Sequence, residues 1–458
     1  MTIREAAGVL LARVRGEDVT FTGVSTDTRT IRPGDLFVAL RGERFDGHAF
    51  LEQAHAAGAA AAMVDSHCER LSELPTLVVG NTRAALGTLA AHWRERFSTP
   101  VVAITGSSGK TTVKEMLAAV LRAATGALQS GAETFLATRG NLNNDIGVPL
   151  MLLELRETHR YAVLEMGMNH AREIAYLTKL ARPDIALITN AGRAHIEYLG
   201  SEEAIADAKG EIFEGLGDEG IAVINADDRY AQKWRDLAGA RRKIEFGLAP
   251  SADVTARHRQ QGLESEITLK TPDGEAALEL RAPGVHNVRN ALAAAAAAVA
   301  LNIPVATVAA GLETYTGIKG RLQVTSAAGA TIIDDTYNAN PESMRAAIAV
   351  LAHSAGRKLL VVGDMGELGP RAPELHRELG ALAKQAGIDR VLTFGEHTAA
   401  TAKAFGPGAT HYARIEDLVA EAKSALEPGL TVLVKGSRFM RMERVVAALT
   451  ADGETQCS

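Results

Sequence analysis

The 458-residue chain is predicted to be an α/β protein of three domains: a small mixed α/β N-terminal domain at 1–98, a central parallel-sheet domain at 99–316 and a C-terminal α/β domain at 317–458. Three observations carry this. The length exceeds what one hydrophobic core serves. Twice, from Pro100 and again from Gly317, apolar strands that end in small or polar residues alternate with helical patterns, as in a parallel sheet wrapped by helices. The first 98 residues lack that regularity and set short runs such as GDLFVAL and PTLVVG between turn-prone STDTRTIRPGD and RGERFDGH.

In the central block VVAIT, YAVLEMG, DIALITNAG and GIAVINADD read as strands, with helical patterns such as AREIAYLTKLA between them. Residues 251–282 alternate and turn through PDG, which predicts antiparallel strands. An alanine-rich helix follows at 291–300. The third block gives ATIIDDTYNANPES, RKLLVVGDMGELG, DRVLTFGE and LTVLVKGSR, each a strand leading into a polar loop and a helix. There is no tandem repeat.

Aromatic content is only 4%, so the core rests on Ala, Val, Leu and Ile. Basic residues number 49 against 55 acidic, and no dense Lys/Arg stripe appears, which points away from nucleic acid or an anionic membrane as partner and toward small-molecule substrates. The N-terminus mixes charge into its apolar residues, and no uninterrupted membrane-length run follows, so a cytoplasmic protein without membrane insertion is expected. A monomer is expected too. Cys68 and Cys457 lie far apart, the second in a polar tail, and support neither a disulfide framework nor a thiolate metal site.

Between the apolar run PVVAI and the helical VKEMLAAVL stands TGSSGKTT. After a strand, Gly106 and Gly109 permit close backbone approach, while the N–H groups of Ser107, Ser108 and the following helix N-terminus attract phosphate oxygens. Lys110 adds a point charge for the terminal phosphates; Thr111, followed by Thr112, offers a hydroxyl to Mg²⁺. The expected ligand is a nucleoside triphosphate. The pattern departs from G-x-x-x-x-G-K-[ST] at its first position, where Ile104 replaces glycine. Two more strand ends belong to this sheet by pattern, Glu165 in YAVLEMGMNH and His195 in ITNAGRAHIEYLG. Ligands of open α/β sheets sit beyond the carboxyl ends of strands, so the loop, Glu165 and His195 are expected to converge.

The motifs TGSSGKTT, GNLNNDIGVPL, LEMGMNHAREI, ARPDIALITNAGRAHIEYLGS, GVHNVRNALAAAA, KGRLQV, IDDTYNANPES, VVGDMGELG and VKGSR, in this order over nearly the whole chain, together resemble the Mur ligases. The atypical first phosphate-loop position is usual in that family. The resemblance implies a central P-loop ATPase domain, a Rossmann-like third domain, and ATP-driven amide formation through an acyl phosphate and a tetrahedral intermediate. The block IDDTYNANPES with GDMGELG, and the absence of a D-N-P-R motif, point to the kind of member that joins D-alanyl-D-alanine (D-Ala-D-Ala) to UDP-N-acetylmuramoyl-tripeptide (UDP-MurNAc-tripeptide).

By the same resemblance, Lys110, Glu165, His195 and Lys209 form the catalytic set, with two Mg²⁺ ions near Thr111, Glu165, His195 and a carbamate carried on Lys209. Spacing alone would leave Lys209 an ordinary helix-surface lysine. Asn144 is expected at the phosphates, His286 and Asn290 at adenine, where four residues apart they share a helix face, and Arg321 and Asp335 at phosphate and ribose. Since the last two belong to the third domain, ATP would be held between domains, with closure on binding. Ser25, Asp27, Thr28, Arg29, Asp46, Gly47 and His48 are implied for the UDP group, and Tyr337, Asn338, Asn340, Pro341, Asp364, Met365 and Glu367 for the dipeptide. Two readings compete: a folylpolyglutamate synthase, which lacks such an N-terminal UDP-binding domain, and a P-loop nucleotide switch, against which stands the absence of an obvious N-K-x-D signature.

Overall fold

Val101–Thr105, five successive buried residues, cannot alternate between core and solvent and therefore forms a strand covered on both faces. A computed structural model describes residues 1–43, 45–68, 73–127, 134–192 and 199–451, and in it this strand lies inside a six-stranded sheet. The order is Arg242–Phe246, Ile221–Asn225, Ile185–Ile188, Val101–Thr105, Tyr161–Glu165, Phe135–Ala137, and every pairing is parallel. The four interior strands are those expected from their apolar runs. Val101–Thr105 has Ile185–Ile188 on one side and Tyr161–Glu165 on the other, so the winding reverses at its carboxyl end and opens a crevice there.

Residues 255–280 form an antiparallel three-stranded sheet, Thr255–Gln261, Glu264–Thr271 and Gly274–Leu280, as its alternation predicts. The alanine stretch is a core element: in the helix Val285–Ala300 all ten residues from Ala291 to Ala300 are buried. Small side chains bring neighbouring backbones close. At Gly311, in the helix Val305–Glu313, a Cβ would stand 2.4 Å from Val120 Cα of the phosphate-loop helix Lys110–Thr125.

The N-terminal sheet, in order Arg13–Arg15, Thr76–Val79, Ala61–Asp65, Asp35–Val38, Gly23–Ser25, is parallel apart from its first pair. Its core is continuous with the central one: Leu86 and Leu89 of the helix Thr82–Arg94 fall in one apolar cluster with Val148, Met151 and Leu177. Buried Arg94 reinforces the junction, donating through Nε to Ala181 O at 3.0 Å.

The C-terminal sheet runs Gln323–Ala327, Ala330–Asp335, Leu430–Lys435, Arg357–Gly363, Arg390–Phe394, Ala409–Tyr412, parallel except for the first hairpin. Its cores hold only residues beyond 321, with Leu263 packing against one of them. The connection between the two larger sheets carries left-handed glycines at Gly317 (φ 91°) and Gly320 (φ 78°). Among the described residues no helix is long and apolar enough to cross a membrane.

Candidate active site

The two larger sheets point their carboxyl ends at one cavity of about 840 Å³. Its floor is the phosphate loop. Gly106 (φ 149°) and Gly109 (φ 80°) hold backbone that disfavours any side chain, and neighbours close the remaining space. A Cβ at Gly106 would lie 1.9 Å from Thr189 Oγ1, and one at Gly109 2.5 Å from Asn290 Oδ1. Asn190 fixes the loop from the next strand end: its main-chain O accepts from Ser107 N at 3.0 Å and its Oδ1 from Ser108 N at 3.1 Å. The N–H groups of Lys110, Thr111 and Thr112 precede the first helical bond, Val113 N to Gly109 O at 2.8 Å, so they belong to the helix end that favours anions.

Glu165 ends the neighbouring strand and is buried. Thr111 Oγ1 donates to its Oε2 at 2.7 Å and Asn143 Nδ2 to its Oε1 at 2.8 Å. Lys110 Nζ donates to Gly106 O at 2.7 Å. Burial, and after it the Arg321 cation, pushes the Lys110 amine below its ordinary range, while Glu165 opposes this. A cavity that already gathers the positive charge of Lys110 and Arg321 favours the arrival of an anion.

Lys209 lies on the helix Glu202–Gly210 and is fully buried. Its Nζ has no hydrogen-bond partner among the described residues. Burial first, and the Lys110 cation second, lower its amine well below the usual lysine range. The surface lysine that spacing alone would favour is therefore not what the fold contains.

From the second sheet, Asp335 and Lys435 are register partners at adjacent strand ends and pair at 2.7 Å. Burial raises the Asp335 carboxyl, and Lys435 partly restores it. Arg321 lies over the Tyr337 ring, 4.0 Å from its centroid. His286 on the helix Val285–Ala300 also lines the cavity; burial, then Lys435 and Arg289, push its imidazole down to about 4.

Of the residues expected from sequence, Ser107 through Thr112, Glu165, His286, Asn290, Arg321, Asp335, Tyr337, Asn338, Asn340 and Glu367 border this one space. His195 lies outside the described residues. Asn144 does not line the cavity; its Oδ1 accepts from Ile146 N at 3.2 Å and Gly147 N at 2.8 Å, starting the next helix, while the adjacent Asn143 reaches Glu165. Asp364 is likewise withdrawn, because its carboxylate accepts from His397 N and Thr398 N and caps a helix. Pro341 opens the helix Pro341–His353, and Met365 is buried.

The N-terminal group is separate: no described residue before Ser107 lines the cavity. Exposed Arg29 pairs with Asp27 at 2.5 Å and holds its carboxyl down at about 2. Ser25 Oγ donates to Asp27 O at 3.0 Å, with Thr28 inside the same turn. Asp46 and Gly47 open a short 3₁₀ turn. His48 is buried, its Nδ1 2.6 Å from Asp46 Oδ1 and its Nε2 accepting from Asp65 N at 3.0 Å, so both ring nitrogens serve the fold. A Cβ at Gly47 would meet Leu40 N and O at 2.8 Å.

Asn143, Asn190, Arg289 and Lys435 were missed. The rule that found Glu165 would have found two of them: Asn190 closes ITN just past a strand end and Lys435 closes LVK. Asn143 and Arg289 carry no such mark.

A strand, a glycine loop, a lysine and a buried carboxylate in one crevice define a nucleotide-phosphate site of the P-loop class, here roofed by a second α/β sheet. Family models agree over most of the chain: the Mur ligase family catalytic domain matches residues 20–94, the Mur ligase middle domain 104–298 and the Mur ligase glutamate ligase domain 320–438. The UDP-N-acetylmuramoyl-tripeptide--D-alanyl-D-alanine ligase of Escherichia coli is 44% identical, covering 99% of both chains. A crystal structure of MurF from Acinetobacter baumannii superimposes with a TM-score of 0.89 at 37% identity, covering 98% of each chain. The Thermotoga maritima MurF ligase, solved in complex with ADP, gives 0.81 at 30% identity over 95% of this chain and 98% of that one. The chain belongs to the Mur ligase family.

Proposed function

We propose that the protein is an ATP-dependent ligase that joins D-alanyl-D-alanine to UDP-N-acetylmuramoyl-tripeptide, releasing ADP and phosphate, in cytoplasmic peptidoglycan precursor synthesis. The observation that carries this is the single cavity in which Lys110 and Glu165 of one sheet face Arg321, Asp335 and Lys435 of another. Full-length likeness to ligases of that name supports the choice of substrates.

The first step brings a substrate carboxylate to the γ-phosphate. Two such charges ~4 Å apart repel by about 4 kcal/mol at an effective dielectric near 20. Lys110 and Arg321 offset that repulsion. The carboxylate oxygen attacks phosphorus, the bond to ADP breaks, and an acyl phosphate results. The dipeptide amine then attacks the acyl carbon, passes through a tetrahedral intermediate and expels phosphate. The helix end at Lys110–Thr112 holds phosphate oxygens through backbone N–H groups. His286 and Asn290 meet the base, and Asp335 with Lys435 the ribose side, so that binding nucleotide draws the two sheets together.

Magnesium fits these residues. Glu165 and Thr111 offer two oxygens beside the loop, and no group of three or more His, Cys, Asp or Glu among the described residues would cage an ion without phosphate. Mg²⁺ prefers that arrangement, one or two protein oxygens with phosphates and water. Once bound it screens the triphosphate and polarises its phosphoryl oxygens. A second ion near His195 is part of the proposal.

Lys209 carries a carbamate in this account. A buried amine of lowered basicity, with no hydrogen-bond partner among the described residues, suits reaction with CO₂: nitrogen bonds to carbon, one proton leaves, and an anionic oxygen pair stands where an ammonium would repel metal. The UDP group lies against the N-terminal domain near Ser25, Asp27, Thr28, Arg29 and the 46–48 turn, and the dipeptide against Tyr337, Asn338, Asn340 and Glu367. The domain limits 1–98, 99–316 and 317–458 and a monomeric state belong to the same reading. Purified protein with ATP and UDP-MurNAc-tripeptide should release phosphate only when D-Ala-D-Ala is added. Release that ignores the dipeptide but rises with a protein partner would favour a nucleotide switch.

A further inference from the structure

We infer that Lys114 is a positioning residue for Glu165, acting through Thr138; this rests on reading Glu165 as the carboxylate that meets magnesium. Lys114 follows Thr111 by three residues on the phosphate-loop helix, so the two share a face. Its side chain is 3% exposed. Beyond the threonines of its first turn the other buried positions on that helix are apolar, among them Val113, Met116, Leu117 and Val120, and packing alone would be served by another such residue. A buried ammonium persists where its protons find acceptors.

The acceptors are specific. Lys114 Nζ donates to Thr138 O at 2.7 Å and to Glu115 Oε1 at 2.5 Å. Thr138, itself buried, turns its Oγ1 toward the next strand end, where it accepts the Glu165 N–H at 2.9 Å. The edge strand Phe135–Ala137 stops one residue earlier, so Thr138 lies past that named strand. Its own N–H reaches Val163 O at 3.0 Å, and the bond from Lys114 fixes the other side of the same residue.

One helix face thus grips Glu165 twice: Thr111 takes the carboxylate directly, and Lys114 takes the main chain through one intervening threonine. The carboxylate is tied to the loop that holds the phosphates as well as to the sheet. A long apolar side chain at 114 would fill the volume and leave Thr138 free to shift.

Calorimetry of ADP binding, with Mg²⁺ and again in EDTA, tests this without turnover. In Thr138→Val and in Lys114→Met, binding with Mg²⁺ should weaken about tenfold, the scale on which outer partners of metal ligands act, while metal-free ADP binds as before. Thr138→Ser should restore the wild-type value. Thr138→Val that binds Mg·ADP normally, or that loses both forms equally, overturns the inference, and this pair decides the matter if Lys114→Met does not fold. Glu165→Gln is the control for the premise: should the gap between the two conditions survive that change, the reading of Glu165 itself is wrong. A gap lost in Glu165→Gln but kept in Thr138→Val refutes the positioning role alone.

Discussion

Thr111 Oγ1 and Glu165 Oε2 are 2.7 Å apart, joining the first turn of the phosphate-loop helix to the end of the neighbouring strand. The bond makes the hydroxyl a donor to a buried carboxylate before any ligand enters. Thr111→Val keeps the shape and deletes the donor. We expect kcat/KM for ATP to fall by more than about tenfold, with a thermal midpoint within a few degrees of wild type. Phosphate release and a melting curve check both.

Lys209 gives a prediction of opposite signs. Its buried Nζ has no partner among the described residues, so Lys209→Met should leave stability unchanged or raise it by about 1 kcal/mol, because an unsatisfied buried polar group is exchanged for apolar volume. Activity should be lost by at least about a hundredfold and return in part, in Lys209→Ala, with added short carboxylates. Urea unfolding beside turnover separates the two effects. A destabilised variant of normal activity would contradict the account.

The phosphate loop can be probed by one methyl group. Gly109→Ala forces a left-handed conformation, φ 80°, and places Cβ 2.5 Å from Asn290 Oδ1. Gly140 is also left-handed, at φ 56°, but a Cβ there meets nothing within 4 Å. Gly140→Ala should destabilise by roughly 1 kcal/mol, and Gly109→Ala by about 1–3 kcal/mol with loss of nucleotide binding. Urea titrations of the two variants give the difference due to the Asn290 contact.

His286 ties stability to pH. Its folded imidazole is pushed from the ordinary 6.5 down to about 4, so between those values the unfolded chain binds a proton that the folded chain refuses. Its contribution is therefore fully present above about pH 6.5 and is lost as pH falls toward 4. In His286→Asn the urea midpoint should fall less steeply across that interval. An unchanged slope would show that the histidine is not held neutral.

What the sequence made legible follows from range. The parallel strands announced themselves because burial on both faces demands runs that are apolar nearly throughout, as VVAI in Val101–Thr105 and VLV in Leu430–Lys435. Glu165 was legible because strand ends converge at a crevice, and Asp335 through the family resemblance. Local polar chemistry hid the rest. Asn143 and Asn144 are identical and adjacent, and only the fold decides that the first meets Glu165 while the second starts a helix. Asp364 and His48 look like ligand residues in polar loops, yet one caps a helix and the other joins Asp46 to the Asp65 backbone. That Lys209 Nζ has no hydrogen-bond partner among the described residues is a property of its surroundings, and spacing could not reveal it.

Activation of the substrate carboxylate by ATP is the claim on which the account turns. UDP-MurNAc-tripeptide carrying ¹⁸O in its terminal carboxyl, incubated with the enzyme, ATP and D-Ala-D-Ala, should deliver one labelled oxygen to each phosphate released, read by mass spectrometry. Unlabelled phosphate, formed together with the amide product, would contradict it.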